Sequence, residues 1–180
     1  MKSLIKLIPF LRRFKRAQKG STAVEFAIVA LPFFSLMFAI FDVSLVYFAT
    51  SALENGVASA AREIRTGQAQ INNLTSVQFR DLVCARIAPL LSCGNNLVID
   101  IRKFTNFGSI TFPVAVDANG NFTNNAQYQI GVAGDVIVVR AYYSWPMLTP
   151  VGSRYVTMAN GKRLLTVSAA FRNEPFVVQP

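Results

Sequence analysis

Histidine is absent from this 180-residue chain. The side chain that titrates nearest neutral pH, and a principal metal ligand, is therefore missing, and no Ser-His-Asp or Cys-His centre can be assembled. Cysteine is nearly absent: Cys84 and Cys93 are the only two, too few by themselves for a four-ligand zinc site. Acidic residues number nine against 18 basic ones. None lies in the first 20 residues, and Phe26–Phe41 contains no charge of either sign. The acids beyond the membrane segment are Glu54, Glu63, Asp81, Asp100, Asp117, Asp135 and Glu174, and none forms a motif with a nucleophile or with metal ligands. There is no phosphate-binding loop and no internal repeat. These absences argue against an enzyme: we expect no catalytic residue, no metal site and no cofactor. Asn73-Leu74-Thr75 and Asn121-Phe122-Thr123 fit the glycosylation pattern, which arises often by chance.

The basic residues that are present are unevenly placed. Lys2, Lys6, Arg12, Arg13, Lys15, Arg16 and Lys19 all precede Gly20, so the net charge of +9 is largely a property of residues 1–20. A nucleic-acid-binding face would need cations spread over a folded surface. Here they stand directly before an apolar stretch, Gly20–Phe41, where the tendency of cationic flanks to stay cytoplasmic accounts for them. No nucleic-acid partner is expected.

Three readings compete for the first 51 residues. A secretory signal cut between Ser51 and Ala52 would place its site well past the apolar core, with Asp42 intervening. An uncut anchor has enough apolar length between Ser21 and about Val46 to span a ~30 Å hydrocarbon core. The favoured reading is a leader cut after Gly20 on the cytoplasmic side. It rests on Glu25. A carboxylate at the centre of a membrane segment costs roughly 2.5–3.5 kcal/mol, and less near an edge. At the cytoplasmic interface it could simply stay hydrated. Cleavage after Gly20 would instead give Ser21 a free amine, with which Glu25 of a neighbouring subunit could pair inside the apolar layer.

The apolar helix contains Pro32, which removes one backbone hydrogen bond and tends to kink it. Beyond the apolar run, Val46, Thr50, Leu53, Val57, Ala60 and Ile64 recur on one helical face, with Asn55, Ser59 and Arg62 elsewhere. One helix is predicted over Ser21–Arg65, about 68 Å at 1.5 Å per residue, ended by Thr66-Gly67. We expect the seam to pack against the chain's own domain.

Gln68–Thr75 reads as a polar connection and Ser76–Leu91 as a second helix, distorted by Pro89. A Cys84–Cys93 bridge would close a loop of about ten residues and stabilise by roughly 2–3 kcal/mol. Two free thiols are the alternative, and a redox pair does not fit a spacing other than Cys-x-x-Cys. Leu97–Arg102 alternates as a half-buried strand. A turn at Gly108-Ser109 leads into a strand at Ile110–Val116. Asp117–Gly134 reads as a surface loop, partly strand near Tyr128–Ile130. Asp135–Trp145 is the strongest strand, ended by Pro146. Pro150 and Gly152 mark a loop before a last strand, Arg163–Phe171. Tyr142, Tyr143 and Trp145 could form a binding surface, although aromatics in a central strand more often belong to the core, and Arg172 is expected to pair with Glu174. The expected fold class is α+β: a transmembrane and stalk helix, residues 21–65, then an exported domain, residues 66–180. That domain is expected to hold a three- or four-stranded antiparallel sheet with one packed helix.

Gly20, Glu25 and Phe26, with the basic run before them, resemble the class III signal sequences of type IV pilins and pseudopilins. GSTAVEFAIVALPF and the later SALENGVASAAREI resemble the TadE-like proteins of the tight adherence (Tad/Flp) pilus system. GDVIVVRAYYSWPMLTP and RLLTVSAAFRNEPF extend the resemblance toward the C-terminus. Glu25-Phe26 stands where major Flp pilins usually carry Glu-Tyr, and the chain is longer than those subunits; both point to a minor pilin or pseudopilin. The resemblance implies a processing site at Gly20 and Ser21, and subunit assembly through Glu25 and Phe26. Its implied partners are the inner membrane, a prepilin peptidase, other pilins or pseudopilins and Tad assembly proteins. It implies a single-pass bacterial inner-membrane protein, N-terminus cytoplasmic and C-terminal domain periplasmic, with a place in a pilus compatible with it. The alternative is an uncleaved inner-membrane-anchored periplasmic binding or scaffold protein.

Overall fold

The computed structural model describes residues 20–88, 91–147 and 158–177. The basic leader before Gly20, Pro89 with its expected distortion, and the expected loop at Pro150 and Gly152 lie outside the described residues. By packing, the chain divides into one unit ending at Phe41 and another beginning at Asp42. Helix α1, Ser21–Arg65, contributes to both and has the bounds its periodicity and terminal glycine predict.

In the first unit α1 runs without interruption through Pro32. One turn beyond, the Ser35 hydroxyl donates to the Leu31 carbonyl at 2.8 Å.

The second unit is built on a three-stranded antiparallel sheet in the order β1 (Leu97–Phe104), β2 (Val136–Pro146), β3 (Lys162–Arg172). Ile101 pairs with Val139, and Val139 with Ala169, in a register free of bulges. On one face lie the second half of α1 and helix α3 (Ser76–Ile87). Leu53, Val57, Ala60 and Ile64 of α1 pack with Phe79, Val83 and Ile87 of α3 and with Ile101, Ile137, Val139, Leu165 and Val167 of the sheet. The expected seam is thus buried in the domain's own core. Burying a side chain of this kind contributes on the order of 1.5–3 kcal/mol.

Local chemistry explains the element ends. Thr75 caps α3 by accepting the Gln78 N–H, while the Gln78 side chain accepts the Thr75 N–H, a reciprocal capping box. Gly67 ends α1 at φ +82°, where a side chain is strained, and a Cβ there would lie 2.3 Å from the Phe176 ring. The connection after it is more ordered than a polar loop: Gln68–Ile71 forms a short helix, α2. Its Ala69 is buried in the core, and the buried Gln70 amide donates to the Ile130 carbonyl at 2.9 Å.

Three further expectations are corrected. Helix α3 stops at Ile87 rather than Leu91, because Pro89 has no N–H with which to continue the helical ladder. Ile110–Val116 forms no strand; Val116 makes a single bridge to Phe122. Pro113 lacks the N–H a ladder would need, and this stretch is instead used to cover the sheet's second face. Finally, Glu174 pairs with Arg65 at 3.1 Å rather than with Arg172, and its N–H donates to the Arg65 carbonyl, fastening the C-terminal segment to the end of α1.

The covered second face was not foreseen. Val136, Val138 and Tyr142 point away from the helices yet are buried. Phe122 lies on Tyr142 with ring centroids 5.3 Å apart, and Phe112 meets Phe104 at 6.0 Å. The Arg140 guanidinium sits 4.2 Å from the Phe112 centroid, within cation–π range. Beside it, the buried Asp100 carboxylate accepts from Arg102 Nε at 2.8 Å and from the Gln127 N–H at 2.8 Å. The residues read as a surface loop therefore form a third layer.

Candidate functional site: the exposed apolar helix

The sequence-selected residues Gly20, Ser21, Glu25 and Phe26 fall at one place, the N-terminal end of α1. Gly20 is exposed and immediately precedes the helix; a Cβ built on it meets nothing within 4 Å. Glu25 and Phe26 are exposed on the helix. Ser21 and Glu25 are four residues apart along the helix, a rise of about 6 Å.

From this end the helix is apolar on every side. Val24, Phe26, Ile28, Val29, Leu31, Phe33, Leu36, Phe38, Ile40 and Phe41 are each more than half exposed. No single stripe connects these positions at 3.6 residues per turn. A helix apolar all round belongs in lipid or among other helices. By length and composition α1 is the one candidate to cross a membrane among the described residues. Single exposed apolar residues are ordinary on a protein surface, but a continuous sleeve of them marks an interaction site.

Cys84 and Cys93 are joined by a disulfide, with Cα atoms 5.9 Å apart. The bridge ties the last turn of α3 to the turn preceding β1, away from the helix N-terminus in sequence. Among the described residues no group of three metal-ligating side chains comes together.

The aromatic residues of β2 are used in packing. Tyr142 and Tyr143 are buried and Trp145 half-buried. Burial holds the phenols of Tyr128, Tyr142 and Tyr143 above the ordinary tyrosine range. The Tyr143 hydroxyl donates to the Ser92 carbonyl at 3.0 Å, and that of Tyr128 to the Leu74 carbonyl at 2.7 Å, so each polar tip is satisfied.

Sequence reasoning did not identify the groove between α1 and the outer edge of β3. It measures about 560 Å³ and is lined by Ala58, Ala61, Arg62 and Arg65 on the helix side and by Ala169, Ala170 and Phe171 on the strand side. No linear signal announces it, because its walls are about 105 residues apart in the chain.

Compared with known proteins, the chain matches no curated protein and no solved structure. Residues 20–62, from the glycine ahead of the helix to the last turns of α1, match the family model of the TadE-like proteins.

Proposed function

We propose that the protein is a minor pilin or pseudopilin associated with a Tad/Flp-type pilus, and that it supports pilus assembly by packing through its apolar N-terminal helix. One observation carries the reading. The TadE-like segment begins at Gly20, where the basic leader ends, and covers a helix whose apolar side chains are exposed on every side. Such a helix is stable when lipid or neighbouring helices cover it.

The leader supports an orientation. Its seven cations favour retention on the cytoplasmic side, so the domain from Asp42 onward lies on the periplasmic side of a bacterial inner membrane. A disulfide suits that oxidising compartment. In this reading a prepilin peptidase cuts after Gly20 and Ser21 acquires an amine. Glu25 then pairs with the Ser21 amine of a neighbouring subunit. Two charges that are each costly in the apolar layer become one hydrogen-bonded pair, while Phe26 and the residues after it pack laterally. The domain serves as a cap or partner surface for other pilins and Tad assembly proteins. The role is structural, and no chemical step on a substrate is assigned.

The test is the intact mass and N-terminal sequence of the chain purified from membranes. A start at Ser21 is the expected result. A start at Met1 would leave an uncleaved, anchored envelope protein, and a start at Ala52 a soluble exported one; either would overturn the proposal. Glu25→Ala should abolish incorporation into pili while membrane insertion continues, measured by pilus shearing against membrane fractionation.

A further inference from the structure

The two outer edges of the sheet are treated differently. Outside β1, Ile101 donates its N–H to the Gln127 carbonyl at 2.8 Å and accepts the Gln129 N–H at 2.9 Å. That edge is therefore paired at Ile101. The same bonds fix the direction of every residue across the sheet, because hydrogen-bonded and non-bonded pairs alternate along an antiparallel ladder. Ile101 faces outward, so Asp100 and Arg102 bond β2 through Arg140 and Val138. Val139 and Ala141 then bond β3 through Ala169 and Val167. Consistent with this phase, the Asn173 N–H donates to the Asp135 carbonyl at 2.9 Å.

It follows that the backbone N–H and C=O groups of Thr166, Ser168 and Ala170 point out of the sheet. Among the described residues they meet no backbone partner. The open edge stops at Glu174, whose N–H is taken by the Arg65 carbonyl. A row of unpaired strand groups is a template for another strand, and here its Ala170 end borders the groove along α1.

We propose that this edge receives an extended segment of another protein as a fourth strand, and that the segment carries carboxylates. Charge selects the occupant. Arg62, Arg65 and Arg172 flank one end of the edge, and Glu174 is the one acid lining the groove, already held by Arg65. A second copy of the chain is a poor occupant. Antiparallel self-pairing centred on Val167 would set Lys162 against Arg172, and like charges directly opposite are destabilising. The added strand would draw affinity from main-chain bonds and specificity from its charges.

The test uses the full chain in detergent with two synthetic peptides of alternating valine and threonine, one ended by glutamates and the other by lysines. Amide exchange is followed at Thr166, Ser168 and Ala170. In the chain alone these amides should exchange quickly, while those of Val167 and Ala169 are protected. The glutamate peptide should protect the three outward amides and bind on the order of tenfold more tightly than the lysine peptide. The double variant Arg62→Glu, Arg172→Glu should reverse that preference. Ser168→Pro removes an outward N–H that β2 does not use and should abolish peptide protection while Val167 stays protected. Three outcomes overturn the proposal: protection of the outward amides in the chain alone, protection that grows with chain concentration and so reports a second copy, or failure of the glutamate peptide to bind in preference to the lysine one.

Discussion

The two halves of helix α1 have the same backbone and opposite surroundings. Between Gly20 and Phe41 its large apolar side chains are exposed; between Val46 and Ile64 a single seam of them is buried among α3 and the sheet. The difference lies in how apolar residues are distributed around the helix. In the second half Glu54, Asn55, Ala58 and Arg62 occupy the outer face, so one stripe suffices and the chain's own domain covers it. In the first half no polar face remains, and covering must come from outside the described chain. A helix thus records in its angular pattern whether its partner is the same chain or something else.

That contrast can be tested by matched truncations. Leu53→Ala, at a fully buried position, should lower the domain's unfolding free energy by about 2–5 kcal/mol. Leu36→Ala, at an exposed position, should leave it within about 0.5 kcal/mol. Denaturant melts of both variants in the same detergent decide the point, and equal losses would break the comparison. Removing the disulfide with Cys84→Ser and Cys93→Ser together should cost roughly 2–3 kcal/mol. That loss should appear in the domain's melting transition, with no change in the detergent-protected helical signal of the first half.

Smaller effects are expected at the junctions. Gly67→Ala forces a side chain into a left-handed backbone against Phe176 and should cost about 1–3 kcal/mol, read as a lower midpoint in the same melt. High pH provides a graded probe. Burial raises the Tyr128, Tyr142 and Tyr143 phenols above the ordinary value of 10.0. Their stabilising contribution is complete below that value and is lost as the pH rises through their folded-state values. The domain should therefore soften in alkali while residues 20–41, which contain no tyrosine, keep their helical signal. The Arg65–Glu174 pair is about half exposed on both sides, so Glu174→Gln should change stability by about 0–1 kcal/mol.

Much of this architecture was legible. The helix bounds follow from a long apolar period and a glycine stop. The central strand announces itself in VIVVRAYYSW, and β3 in the alternation of Leu165, Val167, Ala169 and Phe171. The cysteine pair sits near enough in the chain to bridge. What escaped were relations between distant segments. Pro113 argues locally against a ladder strand, but nothing local says that Phe112 and Phe122 lie over Arg140 and Tyr142. Arg172 is the nearer cation to Glu174 in the chain, yet strand alternation and the turn after β3 bring Arg65 to it instead.

The sequence by itself determined a cationic N-terminal stretch, an all-round apolar helix beginning at Ser21, its amphipathic continuation and an α+β domain, because each depends on the pattern of neighbouring residues along the chain. Only the tertiary structure decided that the sheet is covered on both faces, that its β1 edge is paired at Ile101, and that on the β3 edge Thr166, Ser168 and Ala170 meet no backbone partner among the described residues. Those depend on which hydrogen-bonding groups remain unused after all the strands have paired, and that remainder is a property of the assembled sheet.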